Sequence, residues 1–190
     1  MKKASFYAPL VTAGLIVTAD QISKALVVAH IPEGSIFASF LGDFVWIIHA
    51  RNTGAAFSFG AALAPLIRLA MLILLPVLVL AGGLYYYFRK ELSLPLRWAL
   101  GLIFGGGVGN LIDRIFRPEG VVDFISIKMY GFLGMERFAT FNVADSAITI
   151  GEIMLIIALF ADEFGKRRKD SSVPPVEPAE KQEESGKARS

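Results

Sequence analysis

Two aspartates stand where an apolar chain least readily accepts them. Asp123 lies in Val121-Val122-Asp123-Phe124, and Asp145 in Phe141-Asn142-Val143-Ala144-Asp145, at the entrance to a long hydrophobic run. A carboxylate near hydrocarbon is costly, and an ionisable residue in such a place points to a functional site. Two carboxylates can do general acid–base work together, one ionised, one protonated, with a water between them as nucleophile. Rival chemistries lack their parts. The chain has no cysteine, which removes thiolate catalysis, thiolate metal ligation and disulfides. Its two histidines, His30 and His49, stand apart without ligand spacing, so no metal or cofactor is expected and each reads as an interfacial or loop residue.

The elements that must position this pair are membrane spans. Hydrophobic residues make up 54% of the 190 and charged residues 19%, and the apolar ones are gathered into long runs. Four segments qualify: Pro9–Ala29, Ala64–Phe88, Leu96–Ile115 and Val143–Phe164. Each holds about 20–25 residues, enough at ~1.5 Å per residue to cross a ~30 Å hydrocarbon core. A cleaved signal peptide would account only for the first, which has no clear small-residue cleavage site after its apolar core, so it reads as a retained helix.

Charge placement orients the spans. Lys2 and Lys3 precede the first, Arg89, Lys90 and Arg97 fall between the second and third, and Lys166-Arg167-Arg168-Lys169 follows the fourth. With four spans these patches share one side, which the positive-inside rule makes cytoplasmic, with both termini there. The net charge of +2 is too small to imply a nucleic-acid partner. The chain thus divides into a four-span domain over residues 1–165 and a polar, Pro-containing tail over 166–190, expected to be disordered.

The outer connections are too apolar to be mere linkers. Residues 31–63 include Phe44-Val45-Trp46-Ile47-Ile48-His49-Ala50-Arg51, whose aromatic and β-branched residues predict a strand or two. Phe37, Phe40, Phe44 and Trp46 suit headgroup level. Residues 116–140 hold a second strand-like run over Gly120–Ile127, then Met129–Leu133, apolar enough to dip into the interface. The expected fold class is an all-α membrane protein with four transmembrane helices and a small β-rich extracytoplasmic element.

Other polar residues admit two readings each. Asp20 and Lys24 are spaced i, i+4 and can pair, either as a strut with Lys24 snorkelling outward or as a patch facing a site in the bundle interior. Gly101, Gly105 and Gly109 repeat at four-residue intervals, which favours close helix packing. Asn110, Asp113 and Arg114 share a helix face, where Asp113 and Arg114 could form an ion pair or a network with neighbouring helices as structural support. Asn142 with Asp145 resembles a capping box at a helix start, and the macrodipole favours a carboxylate there. That account leaves Asp123 unexplained. Asn52-Thr53-Gly54 reads as a turn, or as an Asn that hydrogen-bonds a substrate backbone. Three rival functions remain on these residues alone: a proton-conducting or transport subunit using Asp20, Asp113 and Asp145, a peptidase using Ser23 and Lys24, and a membrane scaffold. Acidic residues gathered toward one face disfavour the first, and adjacent helix positions that point apart disfavour the second.

Four segments taken in order resemble the lipoprotein signal peptidases (signal peptidase II): Asp20-Gln21-Ile22-Ser23-Lys24; Arg51-Asn52-Thr53-Gly54-Ala55-Ala56-Phe57; Gly109-Asn110-Leu111-Ile112-Asp113-Arg114 with Val122-Asp123-Phe124; and Phe141-Asn142-Val143-Ala144-Asp145. The resemblance covers nearly everything before the tail. It implies an aspartyl endopeptidase of the bacterial inner membrane; the paired carboxyls need no cofactor, and a monomer is expected because one chain holds every proposed site residue. Its substrates would be diacylglyceryl-modified prolipoproteins, cut immediately before the lipidated cysteine in contact with membrane lipids. By motif, Asp123 and Asp145 match the family's catalytic pair, and Asp20, Asn52, Gly54, Asn110, Arg114 and Asn142 match its other site positions.

Overall fold

The computed structural model describes residues 3–54 and 64–170. Four of its helices are long and apolar enough to cross a membrane. Helix α1 covers Lys3–His30, starting several residues before the expected span. The second span is one continuous rod built from α2 (Pro65–Leu69), a π-helical stretch (Ala70–Leu74) and α3 (Leu75–Arg89). The wider π turn falls just before Pro76, whose missing N–H would otherwise leave a gap in the α-helical ladder. Helix α4 spans Leu94–Phe116 and α5 spans Val143–Asp170. The last helix therefore continues five residues past the boundary expected at residue 165, and residues 171–190 of the tail lie outside the described residues.

Glycines set how closely these helices approach. A Cβ on Gly101 would sit 2.6 Å from the Pro9 carbonyl oxygen, and one on Gly105 would sit 2.9 Å from that of Ala13. Gly106 leaves no room for a Cβ against the Ala144 carbonyl oxygen, and Gly109 none against Asp20 Oδ2, at 2.8 Å. One small-residue stripe thus seats α4 against α1 on one side and α5 on the other, as its spacing predicts.

At the end where α3 meets α4, Tyr87, Leu92, Leu96, Phe104 and Ala158 form an apolar cluster. Arg97 belongs to it rather than to an exposed basic loop: it is buried, its guanidinium 4.6 Å from the Phe6 ring centroid and 4.9 Å from that of Tyr87. At the opposite end sits a three-stranded antiparallel sheet, β1 (Ile36–Phe40), β2 (Val45–Asn52) and β3 (Val121–Ile127), in the order β1-β2-β3. It is anchored by Val27, Ile31, Val122 and Phe124, packed together. Because α1 and α4 end there and α5 begins there, the sheet caps the bundle at the end that carries both aspartates.

Candidate active site

Asp123 is brought into the bundle by β3. The strand pairs with β2 in a register that sets Ala50 opposite Asp123 and Asn52 opposite Val121, so the end of β2 lies beside the carboxylate. On its other side the N–H groups of Phe124 and Ile125 donate to the Phe141 carbonyl oxygen at 3.0 and 2.8 Å. This ties β3 to the chain entering α5. Gly120 permits the turn: its φ is +107°, and a Cβ there would meet the Asn52 carbonyl oxygen at 2.7 Å.

Asp145 stands in the first turn of α5 and closes the reciprocal capping box its spacing predicts. The Asp145 N–H donates to Asn142 Oδ1 at 2.9 Å, and the Asn142 N–H donates to Asp145 Oδ2 at 3.1 Å. The amide of Asn142 does further work. Wholly buried, its Nδ2 donates to Asp123 Oδ1 at 2.7 Å, so one residue holds both carboxylates, Asp123 by its side chain and Asp145 by its backbone N–H. Asn52 Nδ2 donates to Asp123 Oδ2 at 3.2 Å, while its Oδ1 accepts from the Gly54 N–H at 3.0 Å in an Asx-type turn. Asn110 Nδ2 donates to Asp145 Oδ1 at 2.7 Å. Arg114 donates to the Gly54 carbonyl oxygen, holding that turn over the site. Residues 55–57 of the expected Asn52 motif lie outside the described residues.

The structure decides between two pairs of open readings. Lys24 does not snorkel outward. Its side chain is 0% exposed and bridges Asp20 at 2.8 Å and Asp113 at 3.1 Å. Asp113 joins a network with the neighbouring α1 rather than pairing with Arg114, and its second cation is Arg117, at 3.0 Å. The reason in both cases is the interior acceptor set. Gln21 Nε2 donates to Asp20, Asp113 and the Gly109 carbonyl oxygen, and the same two carboxylates also accept from backbone N–H groups. Asp20 Oδ1 accepts from the Ala144 N–H at 3.0 Å, and Asp113 Oδ2 accepts from the Val122 N–H at 3.2 Å. The buried cluster thereby grips the residue before each aspartate of the pair. Ser23 points its hydroxyl at the Asp20 carbonyl oxygen, not at Lys24.

Asp123 and Asp145 line one open cavity of about 580 Å³ together with Asn52, Asn110 and Arg114. Its remaining wall is the segment Phe138–Phe141 and the α5 face that runs on to Glu152. Asp123, outside the spans and 3% exposed, is pushed up to about 7, by burial first and then by the nearby charge of Asp145. The amide donors of Asn52 and Asn142 act against that rise. Such a pair, one member of which keeps its proton into the neutral range, can deliver a proton and accept one in the same site.

The sequence signals for three participants are weak or unused. Lys24 is visible only as half of an i, i+4 pair. Arg137, which braces the wall of the cavity from Ser126 and the β1–β2 turn, stands in a loop without a motif. Glu152 carries a usable signal, an acidic residue inside an apolar span.

The sequence model of a family described as Signal peptidase (SPase) II matches residues 12–161. The lipoprotein signal peptidase of Treponema pallidum (strain Nichols) is 44% identical over 168 residues, covering 88% of this chain and 88% of that protein. The lipoprotein signal peptidase of Borreliella burgdorferi (strain ZS7) is 45% identical over 149 residues, covering 78% and 85%. A bacterial membrane enzyme solved by the in meso method at 2.3 Å resolution superposes with a TM-score of 0.72 at 30% identity, covering 84% of this chain and 91% of that one.

Proposed function

The chain belongs to the signal peptidase II family, and from that premise we propose that it removes signal peptides from prolipoproteins with Asp123 and Asp145 as its catalytic pair. The observation that carries the assignment of the pair is Asn142. Its buried Nδ2 donates to the Asp123 carboxylate and its backbone N–H to the Asp145 carboxylate, while its Oδ1 accepts from the Asp145 N–H, beside a cavity both carboxylates line.

The chemistry follows from two carboxyl groups sharing one proton. The ionised member takes a proton from a water held between them, and that water attacks the scissile carbonyl carbon. The protonated member hydrogen-bonds the carbonyl oxygen as negative charge develops there. Collapse of the tetrahedral intermediate breaks the C–N bond. A proton passes to the leaving amine, one product ends in a new carboxyl, and the pair is left with the single proton it began with. The two carboxyls titrate as a unit, so the roles belong to the pair. Asn52, Asn110 and Asn142 hold the carboxylates, Asp20 braces the α5 start, and Arg114 with Gly54 fixes the turn above them. No metal or cofactor takes part.

The substrate in this reading is a diacylglyceryl-modified prolipoprotein, cut before its lipidated cysteine by a single copy of the chain. The basic residues near the ends of the spans support cytoplasmic termini, with the site at the outer face of a bacterial inner membrane. The test is cleavage of a diacylglyceryl-prolipoprotein peptide by purified protein in detergent. Wild type is expected to cut before the lipidated cysteine, and Asp123→Asn and Asp145→Asn to be inert though folded. Turnover by either variant at the wild-type rate removes the pair from the mechanism.

A further inference from the structure

The polar groups at the site end do not stop at Asp145. Thr149 and Glu152 follow it on α5 at i+4 and i+7, which places all three on one face of the helix. Both are exposed, and both line the same cavity as the aspartates. Around them the helix is as apolar as a span requires: Ile150, Ile153, Ile156 and Ile157 are all exposed. Among the described residues neither Thr149 nor Glu152 makes a side-chain hydrogen bond or ion pair. The acidic groups at the catalytic end are treated differently, since Asp20, Asp113, Asp123 and Asp145 all have partners. A carboxyl group without a partner on a membrane-facing wall costs free energy, unless something that enters the cavity supplies the partner.

A peptide substrate supplies one. A peptide bond inside a helix is shielded by its own hydrogen bonds, so the signal segment must be unwound near the scissile bond. Unwinding within the bilayer strips backbone N–H groups of partners where no water replaces them. We propose that Thr149 and Glu152 form the subsite for this unwound stretch, with the Glu152 carboxyl accepting from a backbone N–H upstream of the cut and the Thr149 hydroxyl meeting the chain between. The inference rests on the reading of this cavity as the peptidase site. Spacing then picks the position. Seven helical residues at ~1.5 Å carry Glu152 about 10 Å beyond Asp145 along α5. An extended chain advances ~3.3–3.6 Å per residue, so the N–H in question lies about three residues upstream of the scissile bond. The upstream side is the correct one, because α5 leads from the site into the membrane and the signal segment does the same.

The experiment removes that N–H without removing a side chain. A series of diacylglyceryl-prolipoprotein peptides carries one ester in place of an amide, at each of the bonds upstream of the cut in turn. Each is paired with wild type, Glu152→Leu and Glu152→Gln. For wild type, one ester two to four residues upstream is expected to lower kcat/KM by about tenfold, the effect of one lost hydrogen bond to a charged group, chiefly through KM. Glu152→Leu is expected to show that same loss on the all-amide peptide and no further loss on the ester. Glu152→Gln, which keeps an acceptor oxygen, should recover most of the difference. Equal ester penalties in wild type and Glu152→Leu, or full activity of Glu152→Leu on the all-amide peptide, overturn the proposal. The same comparison by fluorescence anisotropy, on labelled peptides whose scissile amide is reduced to a methyleneamine, reads the subsite without catalysis. An ester penalty in binding that vanishes in Glu152→Leu would stand even if Asp123→Asn proved active, so the subsite and the catalytic pair can fail separately.

Discussion

Lys24 Nζ lies 3.0 Å from Asn110 Oδ1 and, with Asn142 Nδ2 donating to the same oxygen at 3.2 Å, sets which way the Asn110 amide faces. An ammonium has donors only, so the oxygen must point to Lys24 and the NH₂ toward Asp145, to which it donates at 2.7 Å. A buried cation in the first span thus controls a hydrogen bond to a carboxylate in the fourth.

Lys24→Met removes that control and strands Asp20 and Asp113 without their shared cation. Breaking a buried pair in this way costs about 3–5 kcal/mol of stability. Among molecules that remain folded, a mis-set Asn110 amide should lower kcat by about 10- to 100-fold, the scale of a small misplacement of a catalytic group. Thermal unfolding in detergent and kcat at a temperature where the variant is folded separate the two effects. A folded Lys24→Met enzyme with wild-type kcat would show that the Asn142 contact alone orients Asn110 and that Lys24 has no part in it.

The raised Asp123 sets the direction of the pH dependence. With this carboxyl pushed up to about 7, the pair keeps its working proton below neutrality and loses it as the pH climbs through that value. The rate kcat/KM is therefore expected to fall on an alkaline limb centred near 7. Asn52 donates to Asp123 Oδ2 and so favours the ionised form. Asn52→Ala removes that influence and should move the limb upward by about one pH unit, since one unit corresponds to ~1.4 kcal/mol of differential interaction. A pH–rate profile on both proteins checks it, and a downward displacement in the variant contradicts the assignment.

How far the sequence reached varied with how local each signal is. Spans and strands are legible because hydropathy and alternation are carried by neighbouring residues. The capping box of Asn142 and Asp145 is legible for the same reason, and Asp123 stands out because nothing around it wants a charge. The direction of Lys24 was not legible, since it depends on Asp113 in another helix. Spacing leaves Arg114 open between a pair with the preceding Asp113 and a wider network, and its partner is the backbone oxygen of Gly54, which no side-chain pattern announces. Arg97 looked like a loop charge because the rings of Phe6 and Tyr87 that enclose it are remote in sequence.

The close seating of α4 on α1 leaves no tolerance at Gly101. A Cβ there would lie 2.6 Å from the Pro9 carbonyl oxygen and 2.9 Å from Pro9 Cβ, so backbone rather than a flexible side chain must yield. Gly101→Ala is expected to cost about 1–3 kcal/mol, as overpacking does, despite the better helix propensity of alanine. Gly82→Ala is the matched control, with nothing within 4 Å of the added Cβ. A denaturation series in mild detergent should show a lower midpoint for the first and none for the second. Equal midpoints would mean that the helices part at no cost.

Arg137 connects the sheet to the wall of the cavity. Its Nε donates to Ser126 Oγ at 2.9 Å and its Nη2 to the Ser126 carbonyl oxygen at 3.0 Å, while Nη1 reaches the Asp43 carbonyl oxygen at 3.1 Å. The guanidinium also stacks over Trp46, 3.5 Å from the ring centroid. Asp43 itself accepts from Trp46 Nε1, which more than any other contact holds its carboxyl below the usual range, and it pairs with Lys128 at 3.3 Å. The fork geometry carries the brace, so Arg137→Lys should fail almost as badly as Arg137→Ala. The next residues, Phe138–Phe141, form the cavity wall, and loosening them should raise KM about tenfold, equivalent to one charge-assisted hydrogen bond. The pH limb set by Asp123 should stay in place, because none of the contacts that Arg137 makes among the described residues is with Asp123 or Asp145. Steady-state kinetics across pH would distinguish this from a general loss of structure, which would lower kcat at every pH, and an Arg137→Lys enzyme with wild-type KM would remove the brace from substrate binding.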